Sequence, residues 1–366
     1  MSPRRTAPDL DAPLTAAEAA PLLEFYLADR ADGGVVLAVS GGPDSVALMR
    51  LAATVASARR VPVTVGTVHH GLRPEAEAEA NAVAGWARAC GLPHRVLAWT
   101  GPKPAAGRPA AAREARYRLL AELARSIGSP YVLTAHHADD QAETILLRLC
   151  RGSGPAGLAG MDRETILHGV TVARPFLGVR KARLVASCRT GGWPFLDDPS
   201  NADPQLTRTR MRRLLPLLEA EGLTPDRLSR LAGRLRRWRE AVDRAADRAF
   251  ETAAAREGER VVLDGAHLLV EPEEIVAGVL SRAVEAVAPA RSHRRLERLE
   301  TLADALGAAL RNAVPFRANL GGALVEAGPD RRVVVRPEPP RRARRTPADA
   351  DAAGVPHSLG TDSGGP

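Results

Sequence analysis

Ser40, Gly41, Gly42, Pro43, Asp44 and Ser45 separate a β-branched run, VVLAV, from an apolar segment with helical spacing. A turn with so little side chain lets a ligand approach the backbone, and the first amides of the following helix have no intrahelical acceptor. Backed by the helix dipole, such amides bind anions, phosphate above all. Ser40 and Ser45 add hydroxyls, while Asp44 replaces the lysine of a Walker loop. A carboxylate beside phosphates makes chemical sense when Mg²⁺ lies between them. A second junction, TAHHADDQAETILLRL (134–149), carries two histidines, two aspartates and a glutamate. On a helix, Asp140 and Glu143 share one face while Ile145, Leu146 and Leu149 can pack inward. His136 and His137 have neither cysteine partners nor the spacing of a helical zinc pair, so Mg²⁺ shared by carboxylates and phosphates is the better metal. Each stretch alone also fits a capped helix after a tight turn.

The elements that must position these residues alternate. Between residues 34 and 151 short runs such as VPVTVGTVHH, PHRVLAW and YVLTAHH are separated by amphipathic segments. Strand and helix in strict turn, with short connections, imply a parallel sheet covered on both faces and a ligand beyond the carboxyl ends of its strands. Both chemical stretches fall at such ends. The Gly/Pro-containing loop GPKPAAGRPAA leads into the third of these helices and is expected to be mobile.

After Gly152 the rhythm changes: TILHGVTVARPFLGV and FLDDPSNADPQL read as loop-rich, and residues 207–255 as one or two long helices broken near 222–225. Between residues 205 and 240 stand arginines 208, 210, 212, 213, 227, 230, 234, 236, 237 and 239, against four acidic residues. Such a face is either solvated or tracks phosphates. Beyond it, a hairpin-like pattern around GPDRR suggests a small α+β domain, and residues 341–366 have almost no large apolar side chains and read as disordered. The expected division is an N-terminal segment (1–33), a catalytic domain (34–220), an RNA-binding helical and α+β domain (221–340) and the tail.

Composition narrows the partners. A formal net charge of +8 favours a polyanion, and aromatics at 3% leave few stacking platforms, so nucleic acid would be held mainly by charge. Cys90, Cys150 and Cys188 form no Cys-x-x-Cys pair for zinc, an iron–sulfur cluster or redox exchange. No run approaches the length of a membrane span and no apolar segment follows the two N-terminal arginines, so the expectation is a cytoplasmic protein with no membrane partner.

The stretch SGGPDS resembles the signature of the PP-loop ATP pyrophosphatases. Within them, the chain is most similar to the tRNA(Ile)-lysidine synthetase family, through VHHGLRPEA (68–76), AAREARYRLL (111–120), residues 134–161, ARPFLGVRK (173–181) and residues 197–218. The resemblance implies an adenine nucleotide α-hydrolase-like α/β fold, a doubly wound parallel sheet followed by a helical linker and a small α+β domain. It also implies a ligase that adenylates C2 of the wobble cytidine of tRNA(Ile) with anticodon CAU, releases pyrophosphate, and lets the ε-amine of free L-lysine displace AMP. By motif, residues 40–45 would hold ATP, with Val68 and His69 beside the adenine. Asp44 and Asp140 would position Mg²⁺ or polarise the reacting centre, Arg113 and Arg116 would neutralise phosphate or a nucleotide carbonyl, and Arg208, Arg210, Arg212 and Arg213 would meet tRNA. Thr209 departs from the family's Arg-Asn-Arg pattern, no lysine pocket is evident, and a homodimer is left open.

Three other readings compete. A tRNA 2-thiocytidine synthetase would use the same turn but usually needs paired cysteines or a cluster. NAD or GMP synthetases would not explain the arginine-rich helices, and a nonenzymatic RNA binder would need neither the Ser/Asp turn nor the acidic helix.

Overall fold

A computed structural model describes residues 12–28, 33–69, 71, 76–100, 103–104, 108–197, 207–289 and 296–339. The loop after residue 100 lies largely outside these residues, and the tail from 341 entirely so. Contacts divide the chain into two compact units, residues 1–240 and 241–366.

The first unit contains α1 (Ala16–Leu23), β1 (Val35–Ala38), α2 (Pro43–Arg59), β2 (Val63–His69), α3 (Ala76–Ala89), β3 (His94–Ala98), α4 (Arg108–Ser126), β4 (Tyr131–Leu133), α5 (Ala138–Leu149), α6 (Pro155–Leu158), β5 (Glu164–Leu167), β6 (Val170–Ala173), α7 (Lys181–Thr190) and α8 (Thr207–Ala220), and most of α9 (Pro225–Ala253). The six strands form one sheet in the order β3-β2-β1-β4-β6-β5. β1 pairs in parallel with both β2 and β4. The chain leaves β1 towards β2 on one side and reaches β4 on the other, so the crevice beyond β1 and β4 is the switch point where doubly wound sheets take ligands.

Side-chain alternation explains why helices cover both faces. On β1, Val35 and Leu37 enter a core with α2, α3 and α7, while Val36 enters the opposite core with Tyr117, Leu120 and Ala124 of α4. A strand buried on both sides needs the continuous apolar run that VVLAV supplies.

The stretch expected to be loop-rich contains two further strands. β5 and β6 pair antiparallel with Leu167 opposite Val170, so only His168 and Gly169 form the turn. Their φ angles of 49° and 78° give the left-handed pair that a two-residue hairpin requires. The usual Asn-Gly or Asp-Gly signal is absent, and four-residue strands show little periodicity. β5 thereby adds an antiparallel edge to an otherwise parallel sheet.

α1, expected only as part of an N-terminal segment, is anchored in the main core through Leu23 and the flanking Leu14 and Leu27. Its capping box is extended by charge: Glu18 accepts from Thr15 N at 3.0 Å and from Arg183 Nη2 at 2.8 Å. The Thr15 amide, then Arg183, lower the Glu18 pKa from 4.5 to about 2. A lowered carboxylate pKa contributes stability above the ordinary value that is lost as pH falls through the folded one. Because Glu18 is half-exposed and solvent screens its pair with the largely buried Arg183, its worth is about 1 kcal/mol at most. Glu18→Gln is therefore expected to lower the melting temperature by about 1–3 °C at neutral pH. In a thermal-shift series the difference should shrink between pH 4.5 and about 2; a pH-independent difference would assign the effect to packing.

The second unit holds the end of α9, β7 (Ala254–Glu257), β8 (Arg260–Asp264), α10 (Gly265–Leu268), α11 (Glu273–Val287), α12 (Leu296–Arg311), β9 (Phe316–Leu320), β10 (Ala323–Ala327) and β11 (Arg332–Pro337). Its sheet, β7-β8-β11-β10-β9, packs Leu263, Val325, Val333 and Val335 against Val279, Leu280 and Leu306. β10 and β11 form the hairpin around GPDRR that the sequence suggested. No helix among the described residues is long and apolar enough to cross a membrane.

Candidate functional site

The glycine turn between β1 and α2 is braced from within. Ser45 Oγ donates to Gly42 O at 2.9 Å and accepts from Ser40 N at 3.2 Å, so the Ser45 hydroxyl proton is committed to the turn instead of being offered to a ligand. Gly41 has φ +92°, and its carbonyl accepts from Leu196 N at 2.9 Å. A Cβ there would stand 2.6 Å from Leu196 Cδ1. Gly42 differs: it is the uncapped N-cap of α2, Pro43 opens the helix, and a Cβ at Gly42 would meet only Ser40 Oγ at 4.0 Å. Space is therefore kept over Gly42 and the start of α2, where the helix dipole is positive.

α5 begins at the second junction, and His137 is the residue that joins the two. Its Nδ1 accepts from Asp140 N at 3.3 Å, and Asp140 Oδ2 accepts from His137 N at 3.2 Å, completing a capping box. Its Nε2 lies 3.5 Å from Asp44 Oδ2 and 3.3 Å from Asp140 Oδ2. An Nδ1 that accepts leaves the proton on Nε2, between the two carboxylates. Burial pulls the His137 pKa down, but the bond to Asp44 and the charges of Asp140, Asp44 and Asp139 outweigh it and raise it. His136 faces another fate. Burial lowers its pKa to about 3, so its imidazole is neutral, with Nδ1 2.8 Å from Thr134 Oγ1.

Asp44 shows the same competition in reverse. Burial alone would raise its pKa, but His137, Lys181 and Arg212 together hold it below the ordinary carboxylate range. The carboxylate stays charged, and its Oδ1 is buried with no hydrogen-bond partner among the described residues. Lys181 Nζ stands 3.8 Å from Asp44 Oδ2. It is aimed there by the start of α7, where Asp139 Oδ2 accepts from Lys181 N at 2.8 Å. Arg212 Nε donates to Glu143 Oε1 at 2.5 Å. Glu143 is almost fully buried; burial raises its pKa and Arg212 opposes the rise, and the short contact between them holds the guanidinium at the edge of the cavity.

Asp44, His136, His137, Asp140, Lys181 and Arg212 line one cavity of about 780 Å³ within the first unit, a size that accommodates a nucleotide. Ser40, Gly42, Pro43, Asp44 and Ser45 line it, as do Val68, Arg116, Asp140, Arg208 and Arg212. Gly41 sits beneath Leu196 and shapes the turn from below. Arg113 is not part of the lining; its guanidinium lies over the Tyr117 ring, 4.9 Å from the centroid. His69, at the carboxyl end of β2, is likewise outside the lining, and Arg210 and Arg213 are exposed on α8. Asp140 and Glu143 do share a helix face, but only Asp140 reaches the cavity; Glu143 acts through Arg212.

Sequence reasoning missed Lys181, the bridging role of His137, and the segment from Phe195 to Asp197 that forms part of the wall. For Lys181 a signal existed: the chain has only two lysines, and this one ends the ARPFLGVRK block. In so arginine-rich a chain, a retained amine marks a place where a compact charge suits better than a planar fork. Among the described residues no three His, Cys, Asp or Glu side chains converge as a complete metal cage.

A domain profile described as PP-loop domain matches residues 16–218. The chain is 53% identical to a tRNA(Ile)-lysidine synthase of Methylobacterium nodulans over 338 residues, covering 90% of this chain and 98% of that one. It is 45% identical to a tRNA(Ile)-lysidine synthase of Bradyrhizobium sp., covering 91% and 97%. Among solved structures, the U34-tRNA thiolase NcsA from Methanococcus maripaludis aligns with a TM-score of 0.50 at 15% identity, covering 60% of this chain and 78% of that one, a likeness of fold alone.

Proposed function

The chain belongs to the tRNA(Ile)-lysidine synthase family, as an ATP-using PP-loop enzyme that forms lysidine in tRNA(Ile), and from that premise we propose how its own residues divide the work. The phosphates of ATP lie over Gly42 and the first turn of α2, against the amides of Asp44 and Ser45, with the adenine towards Val68. Asp44 and Asp140 would hold Mg²⁺: the charged Oδ1 of Asp44, unpartnered among the described residues, and a second carboxylate converging on the same His137 nitrogen suit a cation that takes one or two carboxylates and otherwise phosphates and water. When bound, that ion supplies charge neutralisation between the phosphates.

The wobble cytidine with anticodon CAU attacks the α-phosphorus through its O2. The α–β P–O bond breaks and pyrophosphate leaves. Lys181 and Arg212 meet the charge that grows on the leaving group, and their fixed positions mean little reorganisation as it grows. The ε-amine of free L-lysine then attacks C2, the C–O bond to AMP breaks, and the amine loses its proton. Arg113 and Arg116 frame Tyr117 beside this cavity, where Arg116 can meet phosphate or the cytidine carbonyl and Arg113 supports the ring. Arg208, Arg210 and Arg213 contact tRNA from the exposed side of α8; Arg212, committed to Glu143, serves the cavity.

The single observation that carries this reading is Asp44: a carboxylate kept charged at a phosphate-binding turn, with one oxygen unpartnered. Purified protein incubated with an isoleucine tRNA transcript bearing CAU should incorporate labelled lysine only with ATP and Mg²⁺. Unincorporated label under those conditions would overturn the reading. Nothing in the site favours sulfur transfer: Cys188 Sγ is turned onto Pro43 O at 3.3 Å, and burial, then the charge of Asp44, raises its pKa to about 11.

A further inference from the structure

The structure sorts the arginines of 205–240 into those already engaged and those left over. Arg236 and Arg239 both bind Asp162 Oδ1 at 3.1 Å, Arg212 binds Glu143, and Asp226 is taken by Arg180. The contacts of Asp226, Arg236 and Arg239 lie on the side of α9 where Leu228 and Ala232 pack with Ile145 and Leu146 of α5. Arg230, Arg234 and Arg237 are spaced i, i+4, i+7 and all exposed, about half a turn away from that packed side. None forms an ion pair among the described residues. Beside them Trp238 is 40% exposed and Leu231 42%.

Like charges at i, i+4 destabilise a helix by about 0.2–0.5 kcal/mol per pair. A row of unpaired guanidinium groups thus opposes the helix that carries it, unless a polyanion covers it. We propose that this exposed row on α9 is an RNA-binding surface, tracking the phosphate backbone of the tRNA whose wobble base enters the cavity. Charge complementarity chooses the occupant: at 1.5 Å per residue, Arg230 to Arg237 spans about 10 Å of uninterrupted positive charge. Guanidinium forks match phosphate oxygens. This inference rests on the proposed function for the identity of the RNA, and not for the surface itself.

The test compares the wild-type chain, the triple Arg→Gln variant at 230, 234 and 237, and the corresponding triple Arg→Lys variant, using the CAU-anticodon transcript. In the Gln variant the KM for tRNA should rise about tenfold near 0.15 M salt, and the slope of log affinity against log salt should fall by about 2–3. The KM for ATP and the kcat at saturating tRNA should hold. The Lys variant should stay near wild type, because charge and not shape is being read. Tryptophan emission gives a separate readout: RNA should quench the wild-type protein more than Trp238→Phe. An unchanged KM and salt slope in the Gln variant would overturn the proposal, as would a matching rise in the KM for ATP. Tighter retention on phosphatidylglycerol vesicles than on RNA, lost in the Gln variant, would assign the row to membranes and overturn it too. Failure of the proposed function shows differently: the wild-type chain would bind the transcript with this salt slope and incorporate no lysine.

Discussion

Asp44→Asn should lower kcat by about 10³-fold, the scale on which removing a preorganised charge at a reacting phosphate acts, while leaving tRNA affinity nearly unchanged. Asparagine keeps the volume and an acceptor for His137 Nε2, so the substitution isolates charge from shape. In the native protein two cations, Lys181 and Arg212, help hold the Asp44 carboxylate ionised. Without that charge Lys181 loses its carboxylate partner while Arg212 keeps Glu143, and a Mg²⁺ ion held as proposed would lose one of two carboxylates. Asp140→Asn should behave alike, because the amide oxygen can still accept from His137 N and keep the cap of α5. Single-turnover lysine incorporation and filter binding measure the two quantities separately. Either variant keeping more than about a tenth of wild-type turnover, or losing tRNA affinity with its activity, would show the carboxylates to be structural.

The glycine turn yields the second large effect, through a contrast between neighbours. Gly41→Ala must place an L-residue at φ +92° and push its Cβ to 2.6 Å from Leu196 Cδ1. The cost is on the order of 1–3 kcal/mol of stability, and with the turn displaced the KM for ATP should rise by about 10²-fold or more. Gly42→Ala meets nothing closer than 4.0 Å, so thermal stability should be retained. Its KM for ATP should nevertheless rise by at least about tenfold, one tenfold step being about 1.4 kcal/mol of lost binding, since the space over Gly42 is the place a phosphate needs. Melting curves and ATP titration distinguish the two. If Gly42→Ala binds ATP normally, the phosphates lie elsewhere, and the proposed use of the turn fails however Gly41→Ala behaves. Pairing Gly41→Ala with Leu196→Ala relieves the collision but not the dihedral, so only partial recovery is expected.

Much of this site was legible because its signals are local. A β-branched run, a glycine turn and a helical period sit consecutively in residues 35–50, and each constrains the backbone within a few residues. The same holds for HHADDQAET, where the cap and the carboxylates lie within one helical turn. The α8–α9 break near 222–225 was legible for the same reason, since Gly222 and Pro225 act on their own dihedrals. The β5–β6 hairpin was not, because a two-residue turn of His168 and Gly169 carries a weak signal and the hairpin is held by the pairing of β6 with β4. α1 was hidden likewise: its apolar residues gain their meaning from α2 and α7.

Taken alone, the amino-acid order determined the doubly wound architecture, the glycine turn after β1, the acidic helix start and the surplus of arginine. Only the tertiary structure decided which charges meet: Lys181 with Asp44, Glu143 with Arg212, Asp162 with Arg236 and Arg239, and His137 between two carboxylates. Those pairings join residues many positions apart, and no periodicity records them. Coulombic attraction and burial depend on distance through space, which is fixed only when the helices pack on the sheet.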